Sequence, residues 1–331
     1  MANHLDTVRT IEPAKGEMYT LRKKASRRAI HEARTGWIFM APFTLLFLLI
    51  FIIPIIVSLV TSFFQLKATG GGAFGGGEKH NVFVGFDNFI YVLTSSDFWA
   101  GIGRVILYTV FQVPVMIFAA LALALLIDSY LVKRVAIFRL GYFLPYAVPG
   151  VVAAIIWMYI YTPGVSPFNS IAGLFGAEFP IDFFGHKMVI VSMANMTTWT
   201  FTGYNMLIFL AALQAIPHDL YEAARLDGAT GFQIVTKIKI PMVRGAALLA
   251  ILLSIVGTIQ LYNEPQVLSS ANAWMEYNYT PMMMALSTAK GQITPGGDGP
   301  ASAIAIVMAL IAGVLAVLYF LVDKKVGGSN E

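Results

Sequence analysis

Cysteine is absent from the sequence, and charged residues make up only 12% of its 331 residues. Without cysteine, neither a disulfide framework nor a thiolate metal site can form, and a soluble domain normally has about twice this share of charge. Hydrophobic residues make up 57% and the mean hydropathy is +0.72, which also excludes a disordered chain. The net charge of +4 is too small and too scattered to indicate nucleic-acid binding. The composition therefore predicts a polytopic membrane protein.

Six stretches without Asp, Glu, Lys, Arg or His indicate six membrane spans. Each contains about 20 apolar residues, enough for a helix to cross a hydrocarbon core of about 30 Å, and they lack the alternation of barrel strands. The predicted spans are 37–64, 105–127, 140–161, 188–213, 245–263 and 301–322. The predicted fold is therefore an all-α, six-helix membrane bundle (37–322) between an N-terminal tail (1–36) and a C-terminal tail (323–331).

The distribution of basic residues orients this bundle. Lys and Arg concentrate in the tail 1–36, in the connection 128–139, in the connection 214–244 and after the last span. Because basic residues accumulate on the cytoplasmic side, we expect both termini and the 214–244 connection to be cytoplasmic. The basic tail either anchors this orientation or senses anionic lipid. The Gly-rich segment 70–77 is expected to be a flexible outer linker.

The sequence lacks the features with which a membrane protein couples to protons, binds a nucleotide or a metal, or catalyses a reaction. The predicted spans contain no ionisable side chain, which disfavours coupling to protons, and no G-x-x-x-x-G-K-[ST] nucleotide-binding motif is present. The five histidines never occur at metal-ligand spacing, and no nucleophile–base pair is evident. We therefore expect no cofactor, no metal and no enzymatic activity in this chain.

The connection between spans four and five has the pattern of two short helices. Pro217 suits the first position of a helix, and Gly228 suits the left-handed conformation that ends one. Thr230 can cap a second short helix over 231–239, which Pro241 is expected to end. The predicted product is a helix–turn–helix below the membrane that a soluble partner can grip in a groove.

The same segment, 214–241, resembles the EAA loop of the permease subunits of bacterial ABC importers. Glu-Ala-Ala is followed after three residues by Gly, and after nine more by Ile-Lys-Ile-Pro, with Ile240 where Leu is usual. In that family this loop is the coupling helix, which docks into a cleft on the ATP-hydrolysing subunit. The resemblance implies these coupling residues: Glu222, Ala223, Ala224, Asp227, Gly228, Ile238 and Pro241.

Further motifs are similar to the carbohydrate branch of these permeases, and to its maltose-type "F" subunit in particular. They are Val84–Phe89, Leu144–Pro149 followed by Trp157, Ala215–Pro217 and Leu220–Tyr221. The resemblance implies import of a sugar or oligosaccharide across the bacterial cytoplasmic membrane. The implied partners are a second homologous permease, two ATPase subunits that bind ATP and Mg, an extracytoplasmic solute-binding protein and the lipid bilayer. An importer for another solute, such as glycerol phosphate, and a membrane scaffold or enzyme remain the alternatives.

A neutral sugar needs aromatic faces and uncharged hydrogen-bonding groups along its path. Such residues concentrate in spans three, four and five, where the resemblance also implies the solute cavity. The predicted pathway residues are Tyr146, Gly150, Thr197, Thr200, Tyr204, Ser254, Thr258 and Gln260. The alternative role for the hydroxyl residues is hydrogen bonding between helices. Pro145 and Pro149 are expected to break span three, which is tolerated at membrane depth where backbone lines a cavity.

Overall fold

The computed structural model of the protein describes residues 27–69, 78–129, 133–176 and 180–327. The predicted linker at 70–77 and most of the basic N-terminal tail lie outside the described residues. The chain divides into two compact units, Met1–Ile55 and Ile56–Glu331.

An apolar helical stretch begins the described part of the chain. It consists of α1 (Arg27–Phe47), a π-helical turn (Leu48–Ile52) and α2 (Ile53–Thr61). Residues His31–Thr61 are long and apolar enough to cross a membrane. The helix stops at Thr61, three residues before the predicted end of the span at about residue 64, and Phe64 begins a β-strand.

A β-hairpin and a short helix follow, and the span prediction did not include them. Strands β1 (Phe64–Thr69) and β2 (Glu78–Phe83) pair antiparallel, with Phe64 opposite Phe83, and α3 covers Asp87–Thr94. The buried Asn88 amide donates hydrogen bonds to the carbonyl oxygens of Ser62 (2.8 Å) and Phe64 (2.9 Å). Asn88 therefore satisfies backbone groups at the base of the hairpin, which is a structural reason for the asparagine in the Val84–Phe89 motif.

Helices make up most of the remaining chain. They are α4 (Ser96–Ile127), α5 (Val135–Phe143), α6 (Gly150–Tyr161), α7 (Pro167–Leu174), α8 (Val189–Gln214), α9 (His218–Leu226), α10 (Gly231–Ile234), α11 (Ile240–Met242), α12 (Arg244–Ile259), α13 (Asn263–Ser269), α14 (Pro281–Ala289) and α15 (Asp298–Gly327). Within the described residues, four helical stretches can cross a membrane by length and composition, or up to six if each of two bent helix pairs is one span. The predicted class, a helical membrane bundle, is confirmed.

The third span is broken, as its two prolines predict. Helices α5 and α6 are separated by a 3₁₀ turn, Leu144–Ala147, and the chain bends by 97° at this break. Pro145 lies in the turn, and Pro149 occupies the N-cap of α6 with an extended backbone (φ −54°, ψ 134°). The ring of Pro149 and its missing N–H do not disturb α6, because the first N–H groups of a helix have no partner within it.

The packing of the bundle centres on α4 and α8. Val113 and Met116 of α4 are buried in one cluster with Met206 and Phe209 of α8. Helix α8 also approaches α5 very closely at Gly203, where an added Cβ would lie 1.8 Å from the carbonyl oxygen of Tyr142. Glycine is therefore required at 203 for this approach.

Span five is longer than predicted, and the extension carries a charge. The candidate span runs from Arg244 to Ser269 and includes both α12 and α13. It contains Glu264, so the expectation of spans without ionisable side chains is wrong here. Ending a span at the first charged residue placed the boundary at 263 and excluded this carboxylate.

Candidate solute cavity and coupling loop

A cavity of about 390 Å³ lies between α4, α8 and the α12–α13 segment. Its lining combines aromatic rings with amide and hydroxyl groups. The lining residues are Tyr108, Gln112, Met116, Tyr146, Thr197, Phe201, Tyr204, Asn205, Leu253, Ser254, Gly257, Thr258, Gln260, Leu261, Tyr262, Asn263 and Glu264. None of them is basic, so this wall offers no side-chain cation for an anionic solute.

Most of the predicted pathway residues meet at this cavity. Those in the lining are Tyr146, Thr197, Tyr204, Ser254, Thr258 and Gln260. Gly150 is outside the lining and instead packs against Asn263, whose amide nitrogen would lie 2.7 Å from a Cβ at position 150. Thr200 is also outside it: it is buried and donates a hydrogen bond to the Met196 carbonyl of its own helix. Side chains three residues apart on a helix point about 60° apart, so Thr200 is a neighbour of Thr197 on α8 but lies beyond the edge of the cavity wall.

Two tyrosines from different spans form an aromatic surface in the cavity. The rings of Tyr146 and Tyr204 stack with centroids 4.8 Å apart and an interplanar angle of 18°. Both side chains remain partly exposed, at 39% and 36%. Because Tyr146 belongs to the broken part of span three, the proline break places one ring of this pair. Stacked rings of this kind present a flat apolar face to a solute.

The interhelical role left open for the hydroxyl residues applies to Thr258. The hydroxyl of Thr109 on α4 donates to the Thr258 hydroxyl on α12 at 2.8 Å. Ser254 donates to the Ala250 carbonyl within its own helix. Thr258 therefore contributes to helix packing as well as to the cavity wall.

The cavity also contains polar groups that the sequence analysis did not select. Tyr108 and Gln112 come from α4, a span that was not assigned to the pathway. Both are polar residues within an apolar run, and this feature of the sequence could have identified them as cavity residues. The Tyr108 hydroxyl is buried without a hydrogen-bond partner among the described residues. Glu264 accepts a hydrogen bond from the Thr197 hydroxyl at 2.9 Å.

A further contact lies outside the cavity lining, in the first turns of α4. The Arg104 guanidinium donates to the Tyr279 carbonyl at 3.0 Å and lies 4.7 Å from the centroid of the Tyr279 ring. Burial raises the pKa of the Tyr279 hydroxyl, and the adjacent Arg104 opposes that shift. This contact holds the segment before α14 against α4.

The first short helix of the coupling loop ends in a Schellman motif. Helix α9 stops at Leu226, and Gly228 has φ +82°, as predicted. The N–H of Gly228 donates to the Arg225 carbonyl (3.0 Å), and the N–H of Ala229 donates to the Ala224 carbonyl (2.8 Å). At the other end, Pro217 is the N-cap residue and not the first helical residue, which corrects the expectation by one position.

The second short helix begins as predicted but does not end where expected. Thr230 and Gln233 form a reciprocal capping box at the start of α10. The expectation that Pro241 ends the helix is wrong, because a π-helical turn (Val235–Lys239) leads into α11, which contains Pro241 in its first turn. The π-helical turn before Pro241, in which the Ile240 N–H donates to the Val235 carbonyl, allows the helical run to continue through the proline.

Most of the EAA-like residues lie on the surface of this loop. Glu222, Ala223, Asp227, Gly228 and Pro241 are exposed, whereas Ala224 and Ile238 are half-buried. Among the described residues, Glu222 has no salt-bridge partner. Two large apolar side chains on the loop are also strongly exposed and were not predicted: Leu226 (89%) and Phe232 (77%). The loop thus presents an apolar surface beside a carboxylate.

Comparison with known proteins defines the class to which this bundle belongs. Residues 93–328 match the family described as "Binding-protein-dependent transport system inner membrane component". The chain belongs to this family and is therefore a membrane component of a transport system.

Individual relatives are permease proteins of bacterial transport systems. The arabinooligosaccharides transport system permease protein AraP of Bacillus subtilis is 31% identical over 72% of each chain. The lactose transport system permease protein LacF of Rhizobium radiobacter is 30% identical over 69% of this chain and 74% of its own. In fold, the chain is similar to one in the crystal structure of a bacterial alginate ABC transporter in complex with alginate pentasaccharide-bound periplasmic protein. The TM-score is 0.73 at 18% identity, covering 91% of this chain and 98% of that one.

Proposed function

We propose that this chain is the membrane-spanning permease subunit of an ATP-driven importer for a neutral sugar or oligosaccharide. The observation that carries the proposal is the cavity, in which the stacked Tyr146–Tyr204 pair lies beside hydroxyl and amide groups. Sugars have apolar ring faces and many hydroxyl groups. The aromatic rings of the lining suit the ring faces, and its hydroxyl, amide and Glu264 carboxyl groups suit the hydroxyls. The printed names of relatives such as AraP and LacF support the same solute class.

The partners follow from the loop and from the family. The exposed loop residues Leu226, Phe232 and Glu222 are the proposed docking surface for a cleft on an ATPase subunit. Two such ATPases, which hold ATP and Mg, would serve this chain and a second homologous permease. An extracytoplasmic binding protein would deliver the solute, as the alginate-bound periplasmic protein accompanies the similar alginate transporter.

In the proposed mechanism this chain transmits movement from the ATPases to the solute cavity and catalyses no reaction. ATP binding brings the two ATPases together and moves the docked helix α9. The bundle then alternates between openings to the two sides of the membrane, and the solute passes along the cavity wall. This chain hydrolyses nothing. Both termini and the coupling loop would face the cytoplasm, where the ATPases lie.

A phosphorylated solute is the second candidate within transport. The sn-glycerol-3-phosphate transport system permease protein UgpA of Pectobacterium atrosepticum is 26% identical over 74% of this chain. A phosphate dianion calls for Arg, Lys or several backbone donors, and the cavity lining contains no basic residue. The chemistry of the cavity wall therefore favours a neutral solute over a phosphorylated one. A cavity of this kind also favours a transport role over that of a scaffold or enzyme.

The experiment begins with the binding protein, whose thermal stabilisation by neutral sugars or by glycerol 3-phosphate identifies the solute. Solute-stimulated ATP hydrolysis is then measured on the purified complex. Glu222→Lys reverses the charge on the docking surface, and we expect it to abolish ATPase co-purification or stimulation. Lys79→Glu in β2, on the opposite side of the predicted topology, is the control and should retain both. If no ATPase co-purifies with the unaltered chain, the proposal is contradicted. If glycerol 3-phosphate alone stabilises the binding protein, the second candidate, a phosphorylated solute, replaces the neutral sugar.

A further inference from the structure

Lys239, in the EAA-like segment, forms an ion pair with a distant part of the chain. Its ammonium nitrogen lies 2.5 Å from the Oδ2 atom of Asp128, 111 residues away in sequence. Both side chains are largely buried, with 13% and 17% of their surface exposed. Removal of one partner would leave the other charge uncompensated in a poorly solvated position.

The position of Asp128 is electrostatically unusual. Asp128 is the C-cap residue of α4, where the free carbonyl groups carry partial negative charge and disfavour a carboxylate. Lys239 compensates for this repulsion, and its ammonium also lies 5.3 Å from the centroid of the Tyr221 ring. Tyr221 is on α9, directly before Glu222. One ammonium group thus contacts the end of α4 and the helix that carries the docking surface.

Helix α4 connects this contact to the solute cavity. It is one continuous helix of 32 residues, and Tyr108, Gln112 and Met116 line the cavity. Met116 lies about 18 Å along the helix axis from Asp128, at about 1.5 Å per residue. A displacement of the end of α4 would therefore move part of the cavity wall.

We propose that the Asp128–Lys239 ion pair transmits movement of the coupling loop to α4 and so to the cavity wall. Asp128 and Lys239 are positioning residues in this proposal, since neither belongs to the cavity lining and both side chains are largely buried. The inference rests on the proposed function, because it needs an ATPase to move the loop.

A cysteine reporter tests the inference without knowledge of the solute. Ser254→Cys places one thiol in the cavity of a chain that has no other cysteine. Its labelling by the impermeant cationic reagent MTSET is measured on inside-out vesicles that contain the full complex, with and without ATP and vanadate. If nucleotide shifts the bundle from one opening to the other, labelling should change by about tenfold.

The pair is then altered in the reporter background. Asp128→Asn and Lys239→Asp should each reduce the nucleotide response to less than about twofold, with the ATPases still co-purifying. The exchange of both charges, Asp128→Lys with Lys239→Asp, should restore the response, which a merely structural defect would not allow. Lys237→Asp is the matched control, because Lys237 lies exposed in the same π-helical turn, and it should respond normally.

A full response in Asp128→Asn, or an assembled charge-exchange variant without response, would overturn the inference and leave the proposed function standing. If the Ser254→Cys chain with the intact ion pair shows no response although the ATPases co-purify, the proposed function fails and the inference fails with it.

Discussion

Single residues of the third and fourth spans form the aromatic face of the cavity and allow two helices to pack closely. Tyr146 and Tyr204 were predicted from two different spans and are 58 positions apart in the sequence, yet their rings stack in one cavity. Gly203, next to Tyr204, allows α5 and α8 to touch at backbone distance. The neighbouring positions 203 and 204 thus have different roles, one in packing and one facing the cavity.

The first prediction concerns the aromatic face. Tyr204→Ala removes the ring that stacks on Tyr146, and at about 1 kcal/mol for such a contact we expect roughly fivefold slower uptake of the solute identified with the binding protein. Tyr204→Phe keeps the ring and should transport normally. Tyr159→Ala, at an exposed position of α6 outside the cavity lining, is the control. Uptake is measured on complexes of equal abundance, and an unchanged rate in Tyr204→Ala would exclude a role for this face.

The second prediction concerns the close approach at Gly203. Gly203→Ala inserts a methyl group where the Tyr142 carbonyl oxygen lies, 1.8 Å from the ideal Cβ position. Overpacking of this kind costs about 1–3 kcal/mol, so the thermal midpoint of the detergent-purified complex should fall. Gly245→Ala has nothing within 4 Å of its new Cβ and should leave the midpoint unchanged or raise it slightly. Equal midpoints in the two variants would mean that α5 and α8 separate without cost.

The sequence predicted side chains with strong local signals better than it predicted buried charges. Aromatic and hydroxyl residues within apolar runs stand out, and most of those chosen line the cavity. Glu264 was missed because a charge was taken to end a span, although Thr197 and the cavity accommodate it at depth. Thr200 was misplaced because residues three apart on a helix share a face only approximately.

At the scale of elements, proline and glycine correctly predicted the helix boundaries that depend only on the backbone conformation of the residue itself. The break at Pro145 and Pro149 and the left-handed Gly228 are of this kind. Pro241 failed as a helix terminator because the preceding π-helical turn, which the sequence analysis did not predict, continues directly into α11. The β-hairpin was missed because only the apolar runs were interpreted in detail.

The third prediction tests the turn between α9 and α10. Gly228→Ala places a Cβ on a residue with φ +82°, which costs about 1–2 kcal/mol and should redirect α9. Gly231→Ala, three residues later and without positive φ or nearby atoms, is the control. We expect normal amounts of both variants in the membrane, with solute-stimulated ATP hydrolysis reduced in Gly228→Ala only. Full stimulation in Gly228→Ala would show that the turn does not aim the coupling helix.

At the scale of the whole molecule, one helical bundle combines two surfaces with separate tasks. The cavity lies among α4, α8 and α12–α13, whereas the loop that follows α8 carries the exposed groups that we propose as the docking surface. Helices α4 and α8 pack together along buried side chains, and the Asp128–Lys239 pair, which we propose as the route of movement, joins the loop to the end of α4. This arrangement requires that the loop and the outer turns lie on opposite sides of the membrane.

The last prediction tests that orientation directly. Because the chain has no cysteine, single cysteines give unambiguous labelling by an impermeant maleimide. Ser129→Cys after α4 and Thr236→Cys in the coupling loop should react only from the cytoplasmic face, in inside-out vesicles. Ser170→Cys in α7 and Ser270→Cys after α13 should react only from the outer face, in intact spheroplasts. The distribution of Lys and Arg gives this sidedness. If Thr236→Cys reacts only in spheroplasts, a cytoplasmic ATPase cannot reach the loop, and the coupling mechanism is wrong even if the cavity carries a sugar.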